Sequence, residues 1–250
     1  MGVTVRVRST KLFSLAVFAA IILLGMDVAV TLLLTDPQQK TIYSDLVTLV
    51  FDLLAAGALF AAARQSAHQS RRLAIAWGMI ALSVLAFAVG DIAWAILELR
   101  SQELPFPSIA DGFHLAYYVF LLAGVLLLPV RSTSRGEQIT KVLDVTIVMA
   151  AAILGFWNFL LGPLVASNAG SPLLEQAILL AYPVADLVLI WALLSIIYNP
   201  PDVQDQVPAF LLAGSIAVTI VSDCIYTYQS LLGTYASGGI LDIGWRATML

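Results

Sequence analysis

Seven apolar runs of about twenty residues follow one another along the chain, and they constrain its fold more than any other feature. A helix rises about 1.5 Å per residue, so each run is long enough to cross roughly 30 Å of hydrocarbon. The closing residues, ILDIGWRATML, have the apolar character of the start of an eighth span. We therefore predict an all-α polytopic transmembrane helical bundle, seven full spans plus the start of an eighth, in a single integral membrane domain over residues 1–250. The seven runs extend from Leu12 to Leu34, Ile42 to Ala63, Leu73 to Leu97, Phe113 to Val130, Val142 to Leu161, Leu173 to Tyr198 and Phe210 to Leu232.

Composition supports lipid as the solvent of this chain. Hydrophobic residues make up 60% of the sequence and charged residues 11%, whereas a soluble globular domain has about 25% charged residues. The mean hydropathy is +0.94. The net charge is -4, and the twelve Lys and Arg are scattered through the connections, so nucleic acid is not an expected partner. The single cysteine, Cys224, can form no intrachain disulfide.

Basic residues indicate the orientation of the chain. They concentrate in the amino-terminal tail and in the second and fourth connections, whereas the alternate connections hold only Lys40 and Arg100. The positive-inside rule then predicts a cytoplasmic amino terminus in the cell inner membrane, with the first span an uncleaved signal anchor. An eighth span would return the chain to the cytoplasm, where we expect an output domain to follow Leu250. The concentrated basic residues are Arg6, Arg8, Lys11, Arg64, Arg71, Arg72, Arg131, Arg135 and Lys141.

The apolar runs contain several aspartates, among them Asp27, Asp52, Asp91, Asp186 and Asp223, and no Lys or Arg lies well inside any span to pair with them. A charge near the bilayer centre costs at least ~2.5 to 3.5 kcal/mol, so such acids face the bundle interior or a wet cavity. They can be protonated and hydrogen-bonded, bind a cation, or line a polar vestibule. Asp27, Asp91 and Asp223 lie in the outer halves of their helices, which favours a vestibule. Asp52 and Asp186 lie nearer the middle, where we expect neutral carboxyl groups.

A repeat emerges when the acids are aligned. The segments GDIAWAILELRSQELPFPSIADGFHLAYY and SDCIYTYQSLLGTYASGGILDIGWRATM both carry Asp, an aromatic residue three positions on, a loop, and a second Asp about twenty residues later. Asp91 thus pairs with Asp111 as Asp223 pairs with Asp242. The first hairpin is a weaker copy with Asp27 and Asp45, and in the third Asn158 stands where Asp is expected before Asp186. The pattern predicts a helical hairpin used four times.

Polar residues recur at three- and four-residue steps on several spans, so they share helix faces. Such stripes either join helices through hydrogen bonds worth ~0.6 kcal/mol each or line a cavity open to a ligand. Both interpretations remain open from the sequence. The stripes are Ser215, Thr219, Ser222, Asp223, Tyr226 and Ser230; Asp45, Thr48 and Asp52; and Asp91, Trp94 and Glu98.

The stretch PFPSIADGFHLAYY combines a helix start with polar side chains. Its SIAD segment predicts a capping box in which the Asp111 carboxylate reaches back to backbone donors near Ser108 and complements the helix dipole. His114 and Tyr118 follow on the same face, so the three polar groups could form a strip. With only His68 elsewhere, we expect no haem or zinc cofactor.

The same stretch resembles a known family. FPSIADGFHLAYY is similar to the P-S-x-A-D-x-x-x-L-x-x-Y segment in multi-span amino-terminal membrane sensor regions of bacterial signalling proteins, which precede diguanylate cyclase, phosphodiesterase or histidine kinase domains. AYPVADLVLI resembles that group's Y-P-x-x-D-L segment, and the hairpin ending at Trp245 resembles its final one. The likeness covers about residues 80 to 250 and implies a sensory input module or anchor. The chain has no cyclase, phosphodiesterase, kinase or nucleotide-loop motif, so we predict no enzymatic activity for this segment.

Three functions follow as hypotheses. The favoured one is a bacterial membrane sensor whose external vestibule binds a small cationic or protonatable ligand and passes a helix shift to a cytoplasmic signalling domain. The alternative is a proton- or cation-coupled transporter with Asp52, Asp186 and Asp223 as a relay, near the helix-interrupting Pro183. The third is a membrane anchor that localises or dimerises its partner, with every acid structural. The predicted vestibule residues are Asp91, Asp111, His114, Tyr118, Asp223, Tyr226 and Asp242.

Overall fold

The computed structural model describes residues 2–100, 106–129, 135–198 and 206–250, and all regular structure within these ranges is helical. Seven of the described helical segments are long and apolar enough to cross a membrane, which confirms the predicted multi-pass helical bundle. Val130, the predicted end of the fourth span, and Arg131 lie outside the described residues. The helices are α1 (Gly2–Leu33), α2 (Pro37–Ser66), α3 (Arg71–Arg100), α4 (Ile109–Leu127), α5 (Arg135–Phe156), α6 (Gly162–Ser167), α7 (Leu173–Tyr198), α8 (Gln206–Leu231) and α9 (Ile240–Thr248).

Local sequence explains where the helices begin and end. Asp36 caps α2 by accepting a hydrogen bond from the Gln39 N–H at 2.8 Å, and Pro37 supplies a helix-compatible first residue without a backbone donor. At the end of α4, Leu128 adopts ψ 138 because Pro129 follows it and disfavours the helical conformation. Most helices therefore begin before the predicted spans, as α2 does at Pro37. In contrast, α1, α4 and α8 end one to three residues before the predicted ends, and α7 matches its predicted span.

The fifth span contains a change of helical geometry. A π-helical turn, Trp157–Leu161, joins α5 to α6, and the three together form one apolar segment, Arg135–Ser167. Pro163 in the first turn of α6 has no backbone N–H and would crowd the preceding turn of a regular α-helix. The wider turn accommodates it. Asn158, in this turn, is exposed and donates to the Leu154 carbonyl oxygen at 2.7 Å, so it does not act as the third-hairpin equivalent of the buried aspartates.

The tightest helix contact joins α3 and α4. A side chain at Gly124 of α4 would come within 2.5 Å of the Ile80 side chain and 3.0 Å of the Ala76 carbonyl oxygen. Small residues allow this approach, and dispersion contacts over the surface then hold the helices together in lipid. The apolar core continues from this pair onto α7 and α8 through Leu189 and Ile216, both fully buried.

The helices at the edge of the bundle are much less buried than α3. In the most apolar stretch of α1, and in that of the fifth span, 11% of the residues are buried. The corresponding share in α3 is 50%. These two segments therefore lie at the edge of the bundle and face lipid with most of their side chains. The short α9, in contrast, packs on α8, α1 and α2. It connects the exposed α1 to the rest of the bundle.

Candidate functional site

Five acidic residues of the bundle lie toward one end. Asp27 and Asp223 lie in the last third of α1 and α8, while Asp45, Asp111 and Asp242 lie near the starts of α2, α4 and α9. Because consecutive helices run in opposite directions across the membrane, these positions fall at the end that carries the α1–α2, α3–α4 and α8–α9 connections. Asp27, Asp91 and Asp223, which the sequence places in the outer halves of their helices, all lie toward this end of the bundle.

Asp111 caps α4 as predicted. Its Oδ2 accepts hydrogen bonds from the Ser108 backbone N–H at 2.7 Å and from the Ser108 hydroxyl at 3.0 Å. Its Oδ1 accepts a third hydrogen bond, from the Tyr182 hydroxyl at 2.7 Å. Tyr182 belongs to α7, so the cap also ties two helices together. Sequence reasoning missed Tyr182, although it precedes Pro183 in the segment that the resemblance singled out.

The polar strip of α4 contacts three different helices instead of forming bonds within itself. His114 Nε2 lies 2.9 Å from Asp91 Oδ1 on α3. Tyr118 donates from its hydroxyl to Asp223 Oδ2 at 2.9 Å, with Asp186 Oδ1 of α7 at 3.3 Å. α4 therefore acts as the central element that connects the acids of α3, α7 and α8.

His114 is fixed by packing as well as by its ion-pair geometry. The Phe87 ring lies 4.9 Å from the imidazole, centroid to centroid. Gly90, one residue before Asp91, leaves the imidazole the space that a Cβ atom would fill. The side chains of His114 and Asp91 keep 18% and 20% of their surface exposed. This pair is thus the partly accessible portion of the predicted vestibule.

Behind Asp91 lies Asp52 of α2, which is 0% exposed. Among the described residues, no hydrogen-bond donor reaches either of its carboxyl oxygens or Oδ2 of Asp91. The group within hydrogen-bonding reach of Asp52 is the Asp91 carboxyl itself. The two acids, remote in sequence, therefore form a carboxyl pair between α2 and α3.

Asp186 and Asp223 form a second carboxyl pair, between α7 and α8. Unlike Asp52, this pair is well supplied with donors. Besides the Tyr118 hydroxyl, the indole N–H of Trp245 donates to Asp223 Oδ1 at 2.7 Å. Trp245 belongs to α9, so the bond extends the polar network onto the last helix.

Asp27 does not behave as predicted. The expectation that the intramembrane acids lack a basic partner is wrong for this residue, because Arg246 Nε donates to Asp27 Oδ2 at 2.8 Å. Arg246 is 0% exposed and also donates to the hydroxyls of Ser44 and Thr31 at 2.6 and 3.3 Å. The partner was missed because it comes from α9, outside the seven predicted spans. The available signal was that Arg246 is the only basic residue after Lys141.

Asp242, four residues before Arg246, repeats the arrangement around Asp111. Its Oδ2 accepts hydrogen bonds from the Gly238 N–H at 2.7 Å and the Ser44 hydroxyl at 2.9 Å, and its Oδ1 accepts from the Tyr235 hydroxyl at 3.3 Å. Each acid thus accepts from a backbone N–H three or four residues upstream and from a tyrosine hydroxyl. The tyrosines are not equivalent, because Tyr182 comes from α7 and Tyr235 from the segment just before α9.

Burial affects the ionisation of the α9 region. It raises the pKa of Asp242, although the Gly238 N–H and Ser44 hydroxyl bonds and the nearby Arg246 charge oppose this shift. Burial also raises the pKa of Tyr235, and the neighbouring Asp242 charge adds to the increase. Tyr235 therefore stays a neutral donor to Asp242.

Tyr226 completes the set of seven predicted residues. Its ring packs edge-on against Tyr235 at 4.8 Å and against Trp245 at 5.6 Å, centroid to centroid. It lies within electrostatic reach of Asp111, Asp223 and Asp242. The predicted residues therefore gather at one end of the bundle, joined by the residues that sequence reasoning did not include in the site. Those additional residues are Asp27, Ser44, Asp52, Tyr182, Asp186, Trp245 and Arg246.

Metal binding has no preformed site in the described part of the chain. The described His, Cys, Asp and Glu residues form no group of three or more with the geometry to hold a metal ion. What the arrangement offers chemically is a set of linked oxygen acceptors, hydroxyl donors and one imidazole, which can hold and exchange protons.

Comparisons with known protein families, with curated proteins and with solved structures found no match to this chain.

Proposed function

We propose that this chain is the sensory input module of a bacterial signal-transduction protein of the inner membrane. In this proposal the amino terminus is cytoplasmic, and the polar end of the bundle faces outward. A small cationic or protonatable ligand interacts there with the acids, and α9 transmits the change toward a cytoplasmic signalling domain. The proposed orientation rests on the distribution of basic residues along the sequence.

The observation that carries the proposal is the attachment of α9 to the polar network. Trp245 binds Asp223 on α8, and Arg246 binds Asp27 on α1 and Ser44 on α2. Three spans thus hold one short helix through polar groups whose hydrogen bonds depend on charge. A change of charge in the network changes the forces on α9 directly.

The packing of α9 also suits a moving element. A Cβ atom at Gly244 would overlap Ser222 of α8, so α9 lies against α8 without a side chain between them at this point. The Ser215 hydroxyl donates to the Thr248 carbonyl oxygen at 2.8 Å farther along the same interface. Small residues and single hydrogen bonds allow a helix to shift at modest cost, whereas interlocked large side chains do not.

The direct test uses the full-length protein in cells. Replacing Asp91 and Asp223 together by Asn removes one titratable carboxyl group from each pair while keeping side-chain volume. We expect the double variant to lose its signalling response while its membrane level stays unchanged. Asp144→Asn is the matched control, because Asp144 lies on α5 at the edge of the bundle. Unaltered signalling by the double variant would contradict the proposal.

A transporter is the second candidate, and the two carboxyl pairs favour it. Each pair joins a fully buried acid, Asp52 or Asp186, to a partly exposed one that can accept and release protons. The predicted interruption at Pro183 is wrong, because α7 continues through this residue, which lies one turn before Asp186. Purified protein in vesicles containing a pH-sensitive dye distinguishes the candidates. Solute-dependent proton flux supports the transporter, and a sealed vesicle without such flux supports the sensor.

A further inference from the structure

Asp52 is the most poorly solvated acid of the described chain. It is fully buried, and among the described residues no N–H or O–H donor reaches either of its oxygens. Asp91 Oδ2 is also buried without a donor. An ionised carboxylate in such surroundings loses its hydration and gains nothing in return, so the charged form of Asp52 is strongly disfavoured.

A single proton on the Asp52–Asp91 pair supplies the missing hydrogen-bond donor. With a proton on one of the two carboxyl groups, that group donates a hydrogen bond to the other, and the pair then carries at most one negative charge. The Asp91 carboxyl is the group placed to take part. Two adjacent carboxylates without that proton would repel each other inside the bundle.

Other ways to neutralise the pair find no support in the described residues. Arg246 is committed to Asp27, Ser44 and Thr31, and no group with metal-binding geometry includes Asp52. His114 contacts Asp91 through Oδ1, whereas Oδ2 is the buried oxygen without a donor. Asp52, Asp91 and His114 therefore form a row of three titratable groups that reaches from the core to the accessible surface.

Exposure decreases along the row, so protons can enter at its accessible end and reach the buried Asp52. His114 and Asp91 retain 18% and 20% of their side-chain surface, whereas Asp52 retains none. A proton arriving from the outer side can bind His114 or Asp91 and move along one hydrogen bond to Asp52. No cavity for a larger ligand is needed.

The charged surroundings of this row are almost entirely acidic. Facing groups come from every neighbouring element with which the row interacts electrostatically. They are Asp45 on α2, Asp111 and Tyr117 on α4, Asp223 on α8 and Asp242 on α9. These neighbouring negative charges favour a proton on the Asp52–Asp91 pair, so the pair keeps its proton until the outer pH rises.

We propose that Asp52, Asp91 and His114 form a proton-binding site, and that the proton is the ligand sensed by this module. The inference rests on the proposed sensory function, and it names the ligand of that function. Loss of the shared proton at high outer pH leaves two adjacent carboxylates, which pushes α2 away from α3. α2 also carries Ser44, whose hydroxyl contacts both Asp242 and Arg246 of α9. The displacement therefore reaches α9 through Ser44.

Infrared difference spectroscopy of the intact protein in lipid nanodiscs tests the site, with the proton itself as the probe. The C=O stretch of a protonated carboxylic acid should decrease as the pH rises. Asp52→Asn should remove the largest part of this titrating band, because its amide donates to Asp91 without titrating. Asp52→Glu should keep a titrating band at a shifted position, which guards against misfolding of the first variant. Asp144→Asn should leave the band unchanged.

A second measurement separates this inference from the proposed function. Spin labels at Leu173 and Ile240, the first residues of α7 and α9, in a Cys224→Ser background, report the distance between these helices over the same pH range. A distance that changes together with the Asp52 band supports both proposals. A band that titrates without any movement of α9 supports the proton site and contradicts its sensory use. A titrating band that is identical in Asp52→Asn and in the wild-type protein overturns the proton site.

Discussion

Two neighbouring regions at the polar end of this bundle bury an aspartate in opposite ways. At the junction of α1, α2 and α9, Asp27 is paired with the Arg246 guanidinium, which is charged at any pH a protein experiences. Between α2 and α3, Asp52 is equally buried, and among the described residues the Asp91 carboxyl is the group within hydrogen-bonding reach of it. Of the two arrangements, the second depends on a proton that can leave. The difference indicates that the first region ties α9 to α1 and α2, so that α9 follows their displacement, and that the second region is suited to respond to the proton.

Arg246→Met has the largest expected effect, because it leaves Asp27 buried without its partner. We expect a loss of about 3–5 kcal/mol in the free energy of unfolding, because an uncompensated buried charge remains. Denaturation in detergent micelles followed by circular dichroism measures it. The double variant Asp27→Asn with Arg246→Met should recover most of the loss, since no charge is left unpaired. A single variant as stable as the wild type would show that the ion pair does not hold α9.

Gly90→Ala tests the accessible side of the proton row. The added Cβ would overlap the His114 imidazole and push it away from Asp91. Overpacking of this kind costs about 1–3 kcal/mol, and the pH dependence of the carboxyl infrared band should weaken as well. Gly78→Ala on the same helix is the matched control, because a Cβ there meets nothing within 4 Å. Equal effects of the two substitutions would contradict the packing of His114 against Gly90.

Tyr118→Phe tests a hydrogen-bond donor that the Asp186–Asp223 pair has and the Asp52–Asp91 pair lacks. The phenol donates to Asp223 and Asp186, and its removal deprives that pair of one donor while leaving the Asp52–Asp91 pair intact. Hydrogen bonds between membrane helices contribute about 0.6 and at most about 1.7 kcal/mol, so we expect a loss in this range. Unfolding in micelles measures it, with Tyr228→Phe on the exposed face of α8 as the control. A loss of equal size in both variants would contradict the role of the Tyr118 hydroxyl.

Asp52→Asn should be tolerated far better than the loss of Arg246. An Asn amide donates a hydrogen bond to Asp91 as a protonated Asp52 does, so the expected loss is below about 1 kcal/mol. Raising the pH should destabilise the wild-type protein more than this variant, because only the wild type loses the shared proton. Micelle unfolding at two pH values measures the difference. A variant that keeps the full pH dependence of the wild type would place the responsive proton elsewhere.

The smallest expected effect concerns Asp242, which lies between the two regions. Burial raises the pKa of Asp242, so the folded protein holds this proton more tightly than the unfolded chain. Its favourable contribution is complete below the ordinary pKa of about 3.9 and is lost as the pH rises through the higher folded-state value. Asp242→Asn should therefore flatten the acid-to-neutral part of the stability profile in micelles. An unchanged profile would contradict the raised pKa.

Sequence alone supported the architecture because the signals for it are local. Span length and apolar composition decide which segments enter lipid, and all seven predicted spans are helical in the described structure. The cap at Asp111 was predictable for the same reason, since its donor lies three residues away at Ser108. The approach of all seven site residues to one end followed from alternating helix directions.

The pairing of the acids was not accessible from the sequence. Arg246 meets Asp27 across 219 residues, and Tyr118 meets Asp223 across 105. In lipid, an apolar helix surface does not prefer one neighbour over another, so the hydrophobic pattern carries little information about which helices touch. Small residues such as Gly124 and Gly90, and the distant hydrogen bonds themselves, select the neighbours.

The sequence by itself therefore determined that this chain is a multi-pass helical bundle, because partition into lipid depends on the residues within each segment. Only the tertiary structure decided that Asp27 is neutralised by an arginine while Asp52 faces another carboxyl. That distinction depends on the side chains that neighbouring helices bring within about 3 Å of each acid, because hydrogen bonds and ion pairs act only over such distances.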